Sequence, residues 1–280
     1  MFLPYLYAPQ SDPSSVILSF TVLRGQAEPD MLHGFAPSRR QSITYARSPP
    51  ISPLYPLHED ISGIYGSCSD ATYAILHDMH ELTKTFLTRW NYVGGLYPPS
   101  SDAELAAYDV SMTQIYTRLL YRPSSQNDVT PDWYYESCRL AALIYCRSIV
   151  QGMPLADSAN VMNNETSPGT NGAKITIKQA LHNALDSTDK RNHWGNVNMS
   201  GVFLWVCLVG GAGSWPSTRS VYGERDEDQA PEAWIKKCFS LYAVQCAIAE
   251  ASEHASAVVE SQRTMLQVQS LINLRSGISS

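Results

Sequence analysis

Apolar residues recur every three or four positions through most of the chain after residue 69, which is the spacing of one face of an α-helix. In the first such stretch the predicted buried stripe consists of Ile75, Met79, Leu82, Phe86 and Trp90. The stretches with this pattern are 69–93, 101–122, 130–151, 175–185, 231–246 and 257–272. Sustained alternation of apolar and polar residues, which marks half-buried strands, is missing. The predicted fold class is all-α, a multi-helix globular domain.

Local signals predict where several of these helices begin. Ser101 and Glu104 have the spacing of a capping box, in which each side chain accepts a hydrogen bond from the other residue's backbone N–H. Thr130 is predicted as the next cap, because Pro131 then takes the first helical position, where proline is favoured. The other predicted boundaries are a helix start at Pro231, a long polar loop at 152–172 and a charged loop at 222–228.

The most apolar segment, Val202–Val209, is followed by glycines and carries no charge. It fits either a buried helix or a strand leading into a phosphate-binding loop. In the second case Gly211 and Gly213 would begin a G-x-G-x-x-G fingerprint, but Pro216 stands in the place of the third glycine. Glu232 has the right distance for a ribose-binding acid, yet it falls in the first turn of a predicted helix. The segment is therefore predicted as a central buried helix whose glycines allow close packing and termination.

The first 60 residues differ in amino-acid composition from the rest of the chain. Nine of the 17 prolines lie there, and each removes a backbone donor and restricts its predecessor. We predict an irregular, Pro- and Ser-rich, partly disordered arm over 1–60 and a helical domain over 61–280. Candidate phosphorylation sites in the arm are Ser42 after Arg39-Arg40-Gln41, Ser48 before Pro49, and Ser52 before Pro53. The alternative for these residues is a solvated linker.

Net charge and hydropathy argue against nucleic-acid binding, export and membrane insertion. A formal net charge of −6 and a pI near 5.6 disfavour a protein that mainly grips phosphate backbones. The start of the chain, Met1–Tyr7, lacks the basic residues of an export signal. The apolar runs at 16–23 and 202–209 are shorter than the roughly 20 residues needed to span a bilayer. We expect an intracellular protein without a membrane segment.

Chemical motifs are weak. The six cysteines contain no Cys-x-x-Cys pair and are predicted to be small buried hydrophobes. His77 and His80 lie in neither of the H-E-x-x-H and H-x-x-E-H orders of zinc hydrolases, and both are predicted on a solvated face near Lys84. Cys68, between two serines, has no identifiable base partner. We predict no catalytic, cofactor-binding or metal-binding residues and no enzyme. An aromatic-lined pocket for a planar or apolar ligand remains an alternative.

Several segments, taken in order, resemble a known family. They are residues 57–76, Tyr134–Tyr145, Gly201–Ala212 and Met265–Leu271. Their succession is similar to the fungal-specific transcription factor domain, the helical regulatory region of fungal zinc-cluster regulators. The run Leu204–Gly211 is the most specific part, and the likeness extends over about residues 57–275.

The resemblance implies a nuclear transcription regulator whose helical regulatory domain acts through effectors, dimer contacts or other proteins. Family members also carry six closely spaced cysteines that bind two zinc ions and contact DNA. The cysteines of this chain are scattered, so DNA binding by this chain alone is not expected. A truncated product, a fragment, or a regulator acting through a partner would each account for this departure. The expected partners are other transcription proteins or a second copy, with a small-molecule effector as a further possibility. The alternatives are a helical enzyme with a site assembled by the fold, and a structural helical scaffold.

Overall fold

Seven α-helices and two short 3₁₀-helices account for most of the residues that the structure describes. The computed structural model describes residues 51–54, 61–93, 101–163, 175–189, 194, 198–216 and 229–277. These residues belong to a unit formed by residues 49–280. Within the described residues there is no strand, and the predicted all-α fold class is confirmed. Most of the arm 1–60 and the predicted charged loop 222–228 lie outside the described residues, and the domain boundary at residue 60 stays a prediction.

The α-helices are numbered here in chain order. Their bounds are α1 Asp70–Val93, α2 Asp102–Leu120, α3 Trp133–Gln151, α4 Leu155–Ala159, α5 Ile177–Asp186, α6 Ser200–Gly213 and α7 Gln229–Ser276. The 3₁₀-helices are Ile61–Ile64 and Ser125–Asn127.

The core lies around α3 and α6. Helix α3 contacts α1, α2, α4, α5, α6 and α7, and α6 also packs along α7. Every residue of α6 from Ser200 to Gly210 is buried, as the uncharged apolar sequence requires. At the centre the rings of Tyr145 and Trp205 meet edge to face, with centroids 6.1 Å apart. The prediction of a central buried helix at this segment is confirmed.

Helix α1 is buried more broadly than its sequence stripe indicates. The stripe from Ile75 to Phe86 is fully buried. A second buried row runs beside it through Leu76, His80, Thr83 and Leu87, because α1 contacts α2 on one side and α3 on another. The prediction that His80 faces solvent is therefore wrong, whereas His77 is exposed as expected.

Two ion pairs join α1 to α2. The Arg89 guanidinium donates to both oxygens of Asp109, at 2.6 and 2.9 Å. Asp78, which is nearly buried on α1, accepts from Arg118 at 2.6 Å. The two-oxygen geometry of the first pair fixes the relative orientation of the helices as well as their distance.

Some helices begin at a different capping residue from the one that the sequence predicts. The cap of α3 is Asp132 and not Thr130, because the Asp132 carboxylate accepts from the N–H groups of both Tyr134 and Tyr135. At α2 the Ser101 side chain accepts from the Glu104 N–H, which is one of the two hydrogen bonds of the predicted capping box. A complete capping box occurs instead at α5, between Thr176 and Gln179.

Two further differences concern the later part of the chain. The predicted loop 152–172 contains the short helix α4, of which all five residues are buried. The two C-terminal helical stretches form one helix, α7, with a break at His254, whose backbone has φ −132° and ψ 49°. Ser52, a candidate phosphorylation site, is buried, and its Oγ accepts from the Leu54 N–H.

Replacing Asp132 with alanine is expected to lower the free energy of unfolding by about 1 kcal/mol, because two amides at the start of α3 lose their acceptor. Urea denaturation followed by circular dichroism measures this. Asp128→Ala is the control, since Asp128 is exposed and caps no α-helix. Equal effects of the two substitutions would contradict the assignment of the cap.

Candidate functional site

The glycine cluster is a packing site. Gly210 and Gly213 lie within α6. A Cβ on Gly210 would overlap the ring of Phe239 on α7, and a Cβ on Gly213 would come within 2.8 Å of the Ala159 methyl on α4. These glycines let two helices approach α6 closely, as predicted. The helical backbone here has neither the preceding strand nor the loop that a phosphate-binding fingerprint requires.

The other chemical candidates of the sequence are dispersed. His77 stands on the surface of α1 beside the Tyr73 ring, with centroids 6.2 Å apart. Five of the six cysteines are buried without disulfides, as predicted, whereas the prediction is wrong for Cys68, which is only partly buried. Among the described residues, no three His, Cys, Asp or Glu side chains converge as a metal site would require.

Burial of the cysteines has a consequence for alkaline pH. Removal from water raises the pKa of the Cys246 thiol from about 9 to about 12, with a further contribution from Glu250. The folded state holds this proton more tightly than the unfolded chain does. The stabilisation is complete below pH 9 and is lost as the pH rises from there towards 12.

We therefore expect the free energy of unfolding to fall with pH above about 9, and Cys246→Ala to make this fall shallower by up to about 1.4 kcal/mol per pH unit. Urea denaturation under reducing conditions at a series of alkaline pH values measures both slopes. Cys68→Ala, at a partly buried position, is the control and should change the slope less. An unchanged slope in the Cys246 variant would contradict the raised pKa.

A row of polar side chains lines the face of α5 that meets α7. Lys178, His182 and Asp186 follow one another at intervals of four residues, so they share one side of the helix. We call these three residues the polar row. The side chain of Lys178 is only 1% exposed, and His182 is also buried, whereas half of the Asp186 side chain is in contact with solvent. Such groups are rarely buried without partners.

Helix α7 supplies those partners. Glu232, in its first turn, accepts from the Lys178 ammonium at 2.5 Å. The Tyr242 hydroxyl donates to Asp186 at 2.9 Å, and its pKa is raised by desolvation and by this bond to a carboxylate. Between them the Phe239 ring stands edge-on to the His182 ring, with centroids 6.1 Å apart. The polar row thus fixes the position of α7 on α5.

His182 is the chemically distinctive member of the row. Its Nε2 lies 3.7 Å from the nearest Asp186 oxygen, too far for a hydrogen bond, and has no other partner among the described residues. An imidazole beside a carboxylate is a usable acid–base pair. Here, however, the Phe239 ring packs edge-on against the imidazole, and the His182 side chain is only 10% exposed. The polar row has no local signal in the sequence, because its partners on α7 lie more than 50 residues later in the chain.

A second buried polar cluster centres on Glu136 of α3, which is 0% exposed. Its carboxylate accepts from Arg139 through Nε and Nη2 at 3.0 and 2.7 Å. It also accepts from the Ser124 hydroxyl, the Ser125 N–H and the Gln126 amide at 3.1, 3.1 and 3.2 Å. Five donors saturate the acceptor sites of the Glu136 carboxylate, so it has no acceptor site left for a ligand. The role of the cluster is to hold the 3₁₀-helix 125–127 against α3.

Rings from several elements form a connected series. Tyr134 packs against Trp194, Trp194 against Phe203, and Phe203 against Tyr242, with centroid separations of 5.1, 5.2 and 6.4 Å. The Trp194 indole donates to the Thr188 hydroxyl at 2.9 Å. These rings pack against one another, so a planar ligand that enters the series would have to displace one of them. The depression on α2 offers no better site, since its lining, 109–118, comes from that helix alone.

The outward side of α7 before the break carries large exposed apolar residues alongside the polar Lys237, Ser240 and Gln245. Trp234, Leu241 and Ile248 are 63%, 53% and 61% exposed and follow one another at intervals of seven residues. Ala233, Val244 and Ala251 lie on the same side. We call these six apolar residues the α7 face. Outward faces of helices on soluble proteins are normally polar, and a contiguous apolar patch marks a contact surface.

Comparison with family models, with curated proteins and with solved structures gives no match for this chain. Its function has to be inferred from its own residues. Within the described part of the chain, no helix is both long enough and apolar enough to cross a membrane.

Proposed function

We propose that this protein is a non-enzymatic regulatory domain of the transcription machinery, located in the nucleus and acting through contacts with other proteins. Three features support the proposal: the resemblance of four segments to the fungal-specific transcription factor domain, the all-α architecture, and the α7 face. The α7 face carries most weight, because three large apolar residues at heptad spacing on an outward surface fit a helical partner.

A small-molecule effector would act by modulating the protein contact made by the α7 face. The ring series from Tyr134 to Tyr242 ends at the bond between Tyr242 and Asp186, which fixes α7. A planar ligand replacing one ring would disturb that bond. It would thereby alter the position of the helix that presents the α7 face. Effector binding and protein contact would then be coupled through one helix.

A reporter assay tests the proposal. The full chain is fused to a neutral DNA-binding domain, and transcription from the cognate promoter is measured with and without the triple substitution Trp234→Ser, Leu241→Ser and Ile248→Ser. Activation or repression that depends on the α7 face is the expected result. Leu274→Ser, at a position 70% exposed elsewhere on α7, is the control. A silent fusion under every growth condition would refute the regulatory role.

The chain alone is expected to give no specific gel shift at physiological salt. Its net charge of −6 opposes binding to phosphate, and the family's zinc cluster has no counterpart in the sequence. Tight, sequence-specific binding would overturn this part of the proposal.

A helical enzyme is the second candidate, and His182 favours it. A buried imidazole next to a carboxylate, near a buried lysine, is the kind of arrangement found in assembled sites. A working site has to admit solutes. Diethyl pyrocarbonate should therefore modify His182 in the folded protein as readily as the exposed His77, with mass spectrometry locating the adducts. If His77 is modified and His182 is not, a preformed, accessible active site at His182 is excluded. A structural scaffold, the third alternative, would keep the α7 face but leave the reporter silent.

A further inference from the structure

Helices α6 and α7 pack against each other in antiparallel directions, and two contacts set their register. At the start of α6 the Cys246 thiol of α7 donates to the Ser200 carbonyl, with 3.4 Å between the two atoms. About one turn further along α6, the Phe203 ring packs against the ring of Tyr242, which lies one turn earlier on α7. A step of one turn forward along α6 therefore corresponds to a step of one turn back along α7.

Cys207 and Cys238 occupy the next pair of facing positions. Cys207 follows Phe203 by four residues on α6, and Cys238 precedes Tyr242 by four residues on α7. Residues four apart share one side of a helix, so each thiol continues the side that carries the packed ring. A shared neighbour agrees with this register. The pKa of the Tyr242 hydroxyl, raised chiefly by desolvation and by Asp186, is raised further by both sulfurs. Neither cysteine is in a disulfide in this structure.

The two helices are close enough for facing thiols to bond. Gly210 of α6 lets them approach, because the Phe239 ring of α7 fills the place where a Cβ would stand. Helix axes that lie about 8–10 Å apart, with Cα atoms about 2.3 Å from each axis, bring facing Cα atoms to about 4–6 Å. A disulfide needs Cα atoms about 4.4–6.8 Å apart. Cys207 and Cys238 therefore meet the main geometric requirement for a bridge.

We propose that Cys207 and Cys238 form a reversible disulfide when hydrogen peroxide oxidises them, and that this bond holds α7 on α6. Cys238 reacts first, because it is 9% exposed whereas Cys207 is fully buried. Its thiol loses the proton, the sulfur takes one oxygen as the O–O bond breaks, and the other oxygen leaves as water. The Cys207 thiolate then attacks the sulfur of this sulfenic acid, the S–O bond breaks, and a second water leaves. One peroxide is thus reduced to two waters while two thiols are oxidised to one disulfide.

The bond would act on the part of α7 before the break at His254. One noncovalent anchor of this part is the pair of Glu232 with Lys178, and the Glu232 side chain is 42% exposed. Another is the bond of Tyr242 to Asp186, whose side chain is 48% exposed. A disulfide adds a link that water and salt do not weaken, and cellular thiols can reverse it. The inference goes beyond the proposed function, since it concerns how α7 is held whichever molecule contacts the α7 face.

Peptide mapping tests the bond. The reduced full chain is treated with hydrogen peroxide, the remaining thiols are blocked with N-ethylmaleimide, and the digest is analysed by mass spectrometry without reductant. We expect the peptides that contain Cys207 and Cys238 to be joined within one chain, two hydrogen atoms lighter than their sum, and separated by dithiothreitol. Cys207→Ala should instead leave a sulfenic acid at Cys238 that dimedone traps. Cys246→Ala is the matched control and should leave the bridge unchanged, since the Cys246 thiol faces the Ser200 carbonyl.

Amide hydrogen exchange tests the effect of the bond. In the oxidised protein, amides of α7 before His254 should exchange at least about tenfold more slowly than in the reduced protein, and dithiothreitol should restore the faster rate. Cys238→Ala should lose this response to peroxide, with circular dichroism to show that the variant is folded. Absence of the joined peptide from the oxidised wild-type chain, or preferential pairing of Cys238 with any other cysteine, would overturn the proposal. So would a bridge that leaves the exchange of α7 unchanged.

Discussion

Replacing Glu136 with glutamine is expected to lower the free energy of unfolding by about 3–5 kcal/mol, which is a large share of the stability of most domains. Glutamine has nearly the size of glutamate, so packing is preserved. The change removes the negative charge that the buried Arg139 guanidinium contacts at 2.7 and 3.0 Å. It also turns one acceptor into a donor among five donors that converge on this point. Urea denaturation and thermal unfolding measure the loss.

The chain contains its own control for this substitution. Glu260 and Arg263 on α7 form a pair of the same type and spacing, but both side chains are more than half exposed. Glu260→Gln should therefore change the free energy of unfolding by less than about 1 kcal/mol. Similar effects at the two positions would show that burial does not determine the contribution of the pair at Glu136.

Replacing Gly210 with alanine is expected to destabilise the protein by about 1–3 kcal/mol, although alanine favours helices over glycine. The new methyl group would overlap the ring of Phe239, which is fully buried between α6, α7 and His182 on α5. Because the ring is fully buried, the methyl group requires either the ring or α7 itself to shift. Thermal unfolding measures the loss of stability, and protection of amides in both helices from exchange should fall.

Gly211→Ala is the matched control, because the nearest atom to its Cβ would be 3.9 Å away. That substitution should stabilise the protein by about 0.5–1 kcal/mol through helix propensity alone. Phe239→Leu in the Gly210→Ala background should recover part of the loss by making room. A destabilising Gly211→Ala, or no recovery in the double variant, would mean that the loss does not arise from the contact with Phe239.

The sequence pattern predicts the helices well because their signals are local. Apolar spacing locates α1, α2, α3 and α5, and the uninterrupted apolar run identifies α6 as the buried centre. Errors occur where the deciding contact is distant in the chain. His80 is polar, so the pattern places it outward, yet it is buried in the same row as Thr83, whose hydroxyl is hydrogen-bonded to Tyr145 of α3. Helix α4 is too short for a period to be read, and its burial depends on contacts with α3 and α6.

The polar row and the α7 face were harder to predict for the same reason. Lys178 and Asp186 look like ordinary surface residues until α7, more than 50 residues later, places Glu232 and Tyr242 against them. Trp234, Leu241 and Ile248 look like core positions, since sequence alone does not say which side of an apolar helix meets the rest of the protein. Their exposure is known only when the opposite side of α7 is seen to pack on α6.

The break at His254 limits how far loss of structure spreads along α7. A helix frays from its ends because each turn depends on hydrogen bonds to the next, and the non-helical backbone at His254 interrupts that dependence. Beyond it, the Arg275 guanidinium donates to the Ile149 carbonyl, and Met265 and Val268 are fully buried. The two halves of α7 should therefore behave as separate cooperative units in amide exchange. If a partner displaced the part of α7 before His254, the part after it would stay in place. The core around α3 would then remain folded.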